Sequence, residues 1–180
     1  MRFIVDCMLG KLAKWLKILG FDTVYLNRAE DSELLILARR EKRVLLTKDQ
    51  ELLQAAAGLP RLFIESDDWP EQLAQVLDAF RLRDRAKPHS RCLLCNVELK
   101  RISKRMAKNL VTPFVFERAP SFAICPSCGR VFWPGSHYED MDLKIARILR
   151  KKSTPRKETR DRRRGTKPSE DDNQNGSSFV

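Results

Sequence analysis

No run of 18 uninterrupted apolar residues occurs in this 180-residue chain, so the sequence is expected to place no span in a membrane. A charge arrives at Arg2 and again at Asp6, too soon for a signal peptide, and the chain reads as cytoplasmic. With no route out of a reducing compartment, its five cysteines are expected to stay reduced, which favours zinc binding over disulfides. Histidine is nearly missing, with His89 and His137 the two present. No internal repeat is visible. Beyond Lys151 apolar residues almost vanish, while Arg162-Arg163-Arg164 and Glu170-Asp171-Asp172 form charge blocks. Segment 151–180 therefore cannot bury enough surface to fold and is expected to be a disordered charged tail.

What is present in excess is positive charge. The net charge is +11, with 33% of residues charged. Residues 1–90 carry 15 Lys and Arg against 14 Asp and Glu, whereas residues 91–150 carry 11 against 5. The field belongs to the second half, and its sign attracts polyanions, RNA or DNA foremost. That half also carries Cys92 and Cys95, then Cys125 and Cys128, two Cys-x-x-Cys pairs with 29 residues between them. Each pair offers two thiolates to one tetrahedral ion, and two pairs close a structural zinc shell with no open position for water. With four cysteines available, His89 and His137 are expected to be spectators. The fifth cysteine, Cys7, reads as a small buried residue at a strand end.

Chemistry must then be sought in the first half, where two periodicities alternate. Phe3-Ile4-Val5, Thr23-Val24-Tyr25-Leu26, Val44-Leu45-Leu46 and Leu62-Phe63-Ile64 read as short buried strands. Between them lie helical stretches from Leu9 to Gly20, from Ser32 to Lys42, from Asp49 to Gly58, and from Pro70 through Phe80. This alternation implies βαβ units and a parallel sheet covered on both faces. Residues 84–91 read as a polar linker. The cysteine module follows, with β-type runs at Phe114-Val115-Phe116, Phe122-Ala123-Ile124 and Val131-Phe132-Trp133, and a short helix from Glu139 to about Arg150.

Ligands of open parallel sheets bind outside the carboxyl ends of the strands. Asp6 directly follows the first strand, Asp31 stands after the second and Asp49 after the third, so three junctions put a carboxylate on one rim. Asp22 precedes its strand and belongs at the opposite edge. Converging carboxylates repel unless a cation neutralises them, and Mg2+ or Mn2+ suits oxygen ligands. Taken singly, each acid also suits a capping role, Asp31 and Asp49 as helix N-caps and Asp6 as a strand-end acceptor. Lys11, Lys14 and Lys48 are candidates to hold substrate phosphates, and Thr47 to position Asp49 or a water. In the cysteine module, Lys100, Arg101, Lys104, Arg105 and Lys108 lie near Phe114, Phe116 and Trp133, a mixture suited to unpaired nucleotides.

Phe3-Ile4-Val5-Asp6, Leu9-Gly10-Lys11-Leu12-Ala13, Leu19-Gly20-Phe21-Asp22-Thr23 and Leu45-Leu46-Thr47-Lys48-Asp49 resemble PIN-like ribonucleases. The group named for the C-terminal domain of the Mut-seven exonuclease is also similar in the second half, at Arg91-Cys92-Leu93-Leu94-Cys95-Asn96 and from Cys125 through His137. The resemblance runs from about residue 2 to 141. It implies a small α/β/α nuclease fold that hydrolyses RNA with Mg2+ or Mn2+ on Asp6, Asp31 and Asp49. Many such sites use a fourth acid, for which Asp67 and Glu30 are the candidates here.

The expectation is thus a three-layer α/β/α PIN-like parallel sheet over residues 1–87, a zinc ribbon with a short helix over 88–150, and the tail 151–180. The function expected is that of a metal-dependent ribonuclease whose ribbon helps hold RNA. The rival is a non-catalytic RNA- or ribosome-binding adaptor. A phospho-acceptor domain fits worse, because Cys7 stands where a second acid is needed after the first strand.

Overall fold

The computed structural model describes residues 1–150, apart from the side chains of residues 136, 137 and 139. The tail expected over 151–180, with its arginine block, lies outside the described residues. Four strands, β1 (Arg2–Val5), β2 (Asp22–Tyr25), β3 (Val44–Thr47) and β4 (Arg61–Phe63), alternate with helices α1 (Gly10–Ile18), α2 (Asp31–Glu41), α3 (Gln50–Ala55) and α4 (Trp69–Ala79). The strands form one parallel sheet in the order β2-β1-β3-β4.

Successive residues of each strand serve opposite faces. Phe3, Val5 and Leu46 pack beneath Leu12 and Leu16 of α1 and Leu73, Val76 and Leu77 of α4. Ile4 and Leu45 pack against Leu34 and Ala38 of α2 and Leu52 of α3. The three layers follow directly, since neither face of a strand run this apolar can be left to water. Ile4 and Leu45 are fully buried, and each such side chain contributes roughly 1.5–3 kcal/mol. Trp15 and Trp69 stack at 4.6 Å and lock α1 to α4.

The second half builds an antiparallel sheet from β5 (Lys100–Ile102), β6 (Phe122–Ile124) and β7 (Val131–Phe132). Helices α5 (Lys104–Ala107) and α6 (Pro113–Arg118) fill the β5–β6 connection, around a small core of Ala107, Ala119 and Phe122. Lys100–Ile102 was not expected as a strand. Phe114-Val115-Phe116 is helix, not strand: Thr112 caps it by accepting from the Val115 amide, and Pro113 opens the first turn. Those start signals outweigh the β-propensity of three bulky residues.

The last helix, α7 (Ser136–Arg150), returns to the parallel sheet, where Ile145 joins the core beneath α1 and α4 with Met141, Ile148 and Leu149 beside it. Segment 84–91, read as a polar linker, is tied to α1. Lys87 and His89 donate their amides to the carbonyls of Leu19 and Ile18, at 2.9 and 2.8 Å, so the segment satisfies the open end of α1. Gly20, at φ 88°, is required there, because a Cβ would collide with the Lys87 carbonyl. Among the described residues no helix is long and apolar enough to cross a membrane.

Candidate functional site

Two centres emerge, at opposite edges of the parallel sheet. The first is made by the cysteines, whose two loops are built alike. The Asn96 amide bonds back to the Cys92 carbonyl and the Cys92 amide to Val97, while Gly129 bonds to Cys125 and Cys125 to Arg130, all at 2.9 Å. The fourth residue after each leading cysteine turns left-handed, Asn96 at φ 59° and Gly129 at φ 71°. Inside each loop the amide of the second cysteine points at the sulfur of the first, at 3.5 Å in one and 3.4 Å in the other.

Facing each other, these loops bring all four Sγ atoms within 4.8 Å of one another. Cys92 and Cys128 stand 3.9 Å apart. An ion about 2.3 Å from each sulfur sets tetrahedral corners about 3.8 Å apart, so the donor set fits zinc. Burial pushes the Cys125 thiol up, but the amides of Cys128 and Ser127 and the neighbouring thiols bring it down to about 7. His89 is no ligand: its Nε2 lies 2.8 Å from Asp142 Oδ1. The side chain of His137 lies outside the described residues.

The cysteine module docks at the amino-terminal edge of the sheet. Asn96 donates Nδ2 to Asp22 at 2.7 Å and accepts from the Thr23 amide at 3.0 Å. Asp22 also receives Arg43, a buried guanidinium that reaches the Phe3 carbonyl and Glu41 as well. Burial alone would push the Asp22 carboxyl up, yet Arg43 and Asn96 hold it below the usual carboxylate range. Asp22 thus lies at the edge expected of it.

At the opposite edge stand the aspartates. Sheet order reverses between β1 and β3, the switch point at which ligands of such sheets collect. Asp6 continues the β1–β3 ladder through its amide to Leu46 and is 4% exposed. Thr47 donates its hydroxyl to Asp6 Oδ2 at 2.8 Å and accepts from the Asp49 amide at 2.9 Å. Asp49 also caps α3, its Oδ1 accepting from the amides of Glu51 and Leu52. Asp31 is the first residue of α2 and is not its cap. Glu30 takes that role in a reciprocal capping box with Glu33. Burial pushes the Asp31 carboxyl up, and the charges of Asp49, Asp6, Glu30 and Glu51 add to the rise.

All three aspartates therefore share one electrostatic neighbourhood. Among the described residues, the group of three or more His, Cys, Asp and Glu gathered closely enough to hold an ion is that of the four cysteines, whose ligand atoms lie within 4.8 Å of one another; Asp6, Asp31 and Asp49 do not form such a group. Lys48 is paired with Asp67 rather than free. Lys11 and Lys14 are exposed on α1, and Lys100, Arg101, Lys104 and Arg105 are exposed on β5 and α5. Lys104 sits over the Phe116 ring and Arg118 over Phe114. Cys7 corrects the sequence reading. It lies exposed on the rim, in a 3-10 turn that rotates it out of the core, and hydrogen bonding to Asp6 pushes its thiol up.

Two rim residues escaped sequence reasoning. Tyr25 donates its hydroxyl to the Cys7 carbonyl at 2.9 Å, and nothing but its place at a strand end signalled it. Glu51 was legible in principle as a further acid two residues after Asp49. Compared with known proteins, the chain is matched over residues 1–145 by the family model described as Mut7-C RNAse domain, which takes in both sheets and most of α7. No curated protein and no solved structure matches it.

Proposed function

The chain belongs to the Mut7-C RNAse domain family, and from that premise we propose that it hydrolyses phosphodiester bonds in RNA with Mg2+ or Mn2+ held by Asp6, Asp31 and Asp49. The observation that carries the reading is Thr47, whose hydroxyl ties Asp6 to the Asp49 backbone across the β1–β3 switch point. The rise of the Asp31 carboxyl supports it, since crowded carboxylates are what a hard dication relieves. Such an ion, when bound, would supply positive charge for the phosphate oxygens and lower the pKa of a water so that hydroxide is available as the nucleophile.

The chain's own residues orient and confine. Asp6 is held rigid by burial and by Thr47. Asp49 engages only Oδ1 with α3 among the described residues, which leaves Oδ2 for the ion. Asp31 completes the set from the exposed side. Lys11 and Lys14, on the first turns of α1, hold substrate phosphates beside Asp6, and Lys48 joins them on leaving Asp67. The zinc ribbon is structural and adds affinity for RNA through its basic face. Such a protein works in the cytoplasm, where its thiols stay reduced.

A second reading, an RNA- or ribosome-binding adaptor without activity, is favoured by the capping work of Asp49 and by the aspartates not forming a ready-made ligand group among the described residues. Labelled single-stranded RNA incubated with Mn2+ distinguishes the two. Cleavage that Asp6→Asn abolishes is expected, and tight binding without cleavage in any divalent ion supports the adaptor.

A further inference from the structure

A cleft of about 320 Å³ opens between residues 88–89, the β5–β6–β7 sheet and the first turns of α7, and nothing above assigns it a role. Phe132, Trp133, Tyr138 and His89 give it an aromatic wall. The His89 and Tyr138 rings meet at 4.2 Å, and the bond from His89 to Asp142 fixes them in place. Arg101 lines the cleft from β5 and is exposed; no salt bridge engages it among the described residues.

From these groups we infer that the cleft binds one unpaired nucleotide, its base against the aromatic wall and its phosphate on Arg101. The volume lies at the lower end of small-ligand pockets, which suits a single nucleotide rather than a duplex. Stacking on rings combined with a cationic edge is the chemistry that holds unpaired nucleotides with little regard to sequence. Asp142 gives one oxygen to His89, and its other oxygen accepts from the amino group of a base. The wall is fixed before any ligand arrives, so binding loses little side-chain freedom there.

Position gives the cleft a function of its own. Residues 88–89 cover the far end of α1, whose start lies beside Asp6; nine residues of helix separate the two ends by about 14 Å. A strand with one base in the cleft reaches the aspartate rim a few nucleotides further along. The cleft is thus a distal anchor for RNA, an inference that rests on the ribonuclease reading.

The test uses the full zinc-loaded chain and fluorescein-labelled single-stranded oligoadenylate, read by anisotropy without added Mg2+ or Mn2+, so that cleavage plays no part. Tyr138→Leu and Arg101→Gln are each expected to weaken binding about tenfold. Circular dichroism and zinc content show whether either variant has lost its fold. An all-abasic strand of equal length is expected to bind the wild type about as weakly as the variants bind oligoadenylate. Folded variants that bind like the wild type, or an abasic strand that binds equally well, would overturn the inference. So would adenosine monophosphate that fills the cleft while oligoadenylate ignores both substitutions. Failure of the ribonuclease reading looks different: no cleavage in Mn2+, with the effects of both substitutions on binding intact.

Discussion

The hydroxyl of Thr47 donates to Oδ2 of Asp6 across 2.8 Å, although 41 positions separate the two residues. It joins the ends of β1 and β3, and through its lone pairs it also takes the Asp49 amide. Replacing it by valine keeps the shape and removes the link. Thr47→Val is expected to lower divalent-dependent RNA cleavage at least tenfold while costing about 1–2 kcal/mol of stability. Cleavage rates and urea unfolding, measured on the same preparation, check both halves.

Asp31 provides a sharper electrostatic test. Its folded carboxyl titrates above the unfolded value, so the fold holds the proton more tightly and loses stability as pH rises from the unfolded value through the folded one. At neutral pH that penalty is fully present. Asp31→Asn removes it, and the metal-free variant is expected to melt at or above the wild type. Added Mn2+ is expected to raise the melting temperature of the wild type and not that of the variant.

Asp22 behaves in the opposite sense. Its folded carboxyl titrates below the unfolded value, so its contribution is present above the unfolded pKa and disappears as pH falls through the folded one. The wild type is expected to lose stability more steeply than Asp22→Asn as pH drops below about 4. At neutral pH the variant leaves Arg43 with Glu41 and the Phe3 carbonyl but without its Asp22 partner, and is expected to be less stable by about 1–3 kcal/mol. Denaturant unfolding across the pH range checks the slope and the offset together.

Zinc removal tests the other edge of the sheet. One zinc per chain is expected, released on acidification or by replacing Cys92 with serine. Loss of the ion frees both cysteine loops, and with the first loop goes the Asn96–Asp22 bond. A chelator-linked colour assay counts the ion, and near-ultraviolet dichroism follows the ordering of the aromatic side chains around it.

The layered sheet was legible because its strands are short apolar runs buried on both faces, such as Val44-Leu45-Leu46, bounded by cap residues at recognisable positions. The aspartate rim was legible for the same reason, since a strand end and a helix start fix where an acid must stand. Asp49 illustrates how a residue fits both expectations, for it lies on the rim and caps α3 at once. Cys7 was misread because a 3-10 turn, unlike a strand, changes which side faces out. Phe114-Val115-Phe116 was misread because bulky residues suit strands, while the Thr112-Pro113 start signal just before them decided otherwise.

What sequence could not supply was long-range docking. Asn96 and Asp22 are 74 positions apart, and each alone reads as an ordinary polar residue. The sequence assigns the helix that carries Ile145 to the ribbon segment 88–150, whereas packing puts Ile145 in the main core. The placement of the cysteine module at the amino-terminal edge, away from the aspartates, follows from those contacts and from nothing local.

The most direct test is a crystal soaked in Mn2+ and recorded at the manganese absorption edge. An anomalous peak coordinated jointly by the carboxylates of Asp6, Asp31 and Asp49 is expected, and it is expected to vanish in Asp6→Asn. A rim free of anomalous signal at millimolar Mn2+, with those three side chains still apart, would contradict the metal-dependent mechanism.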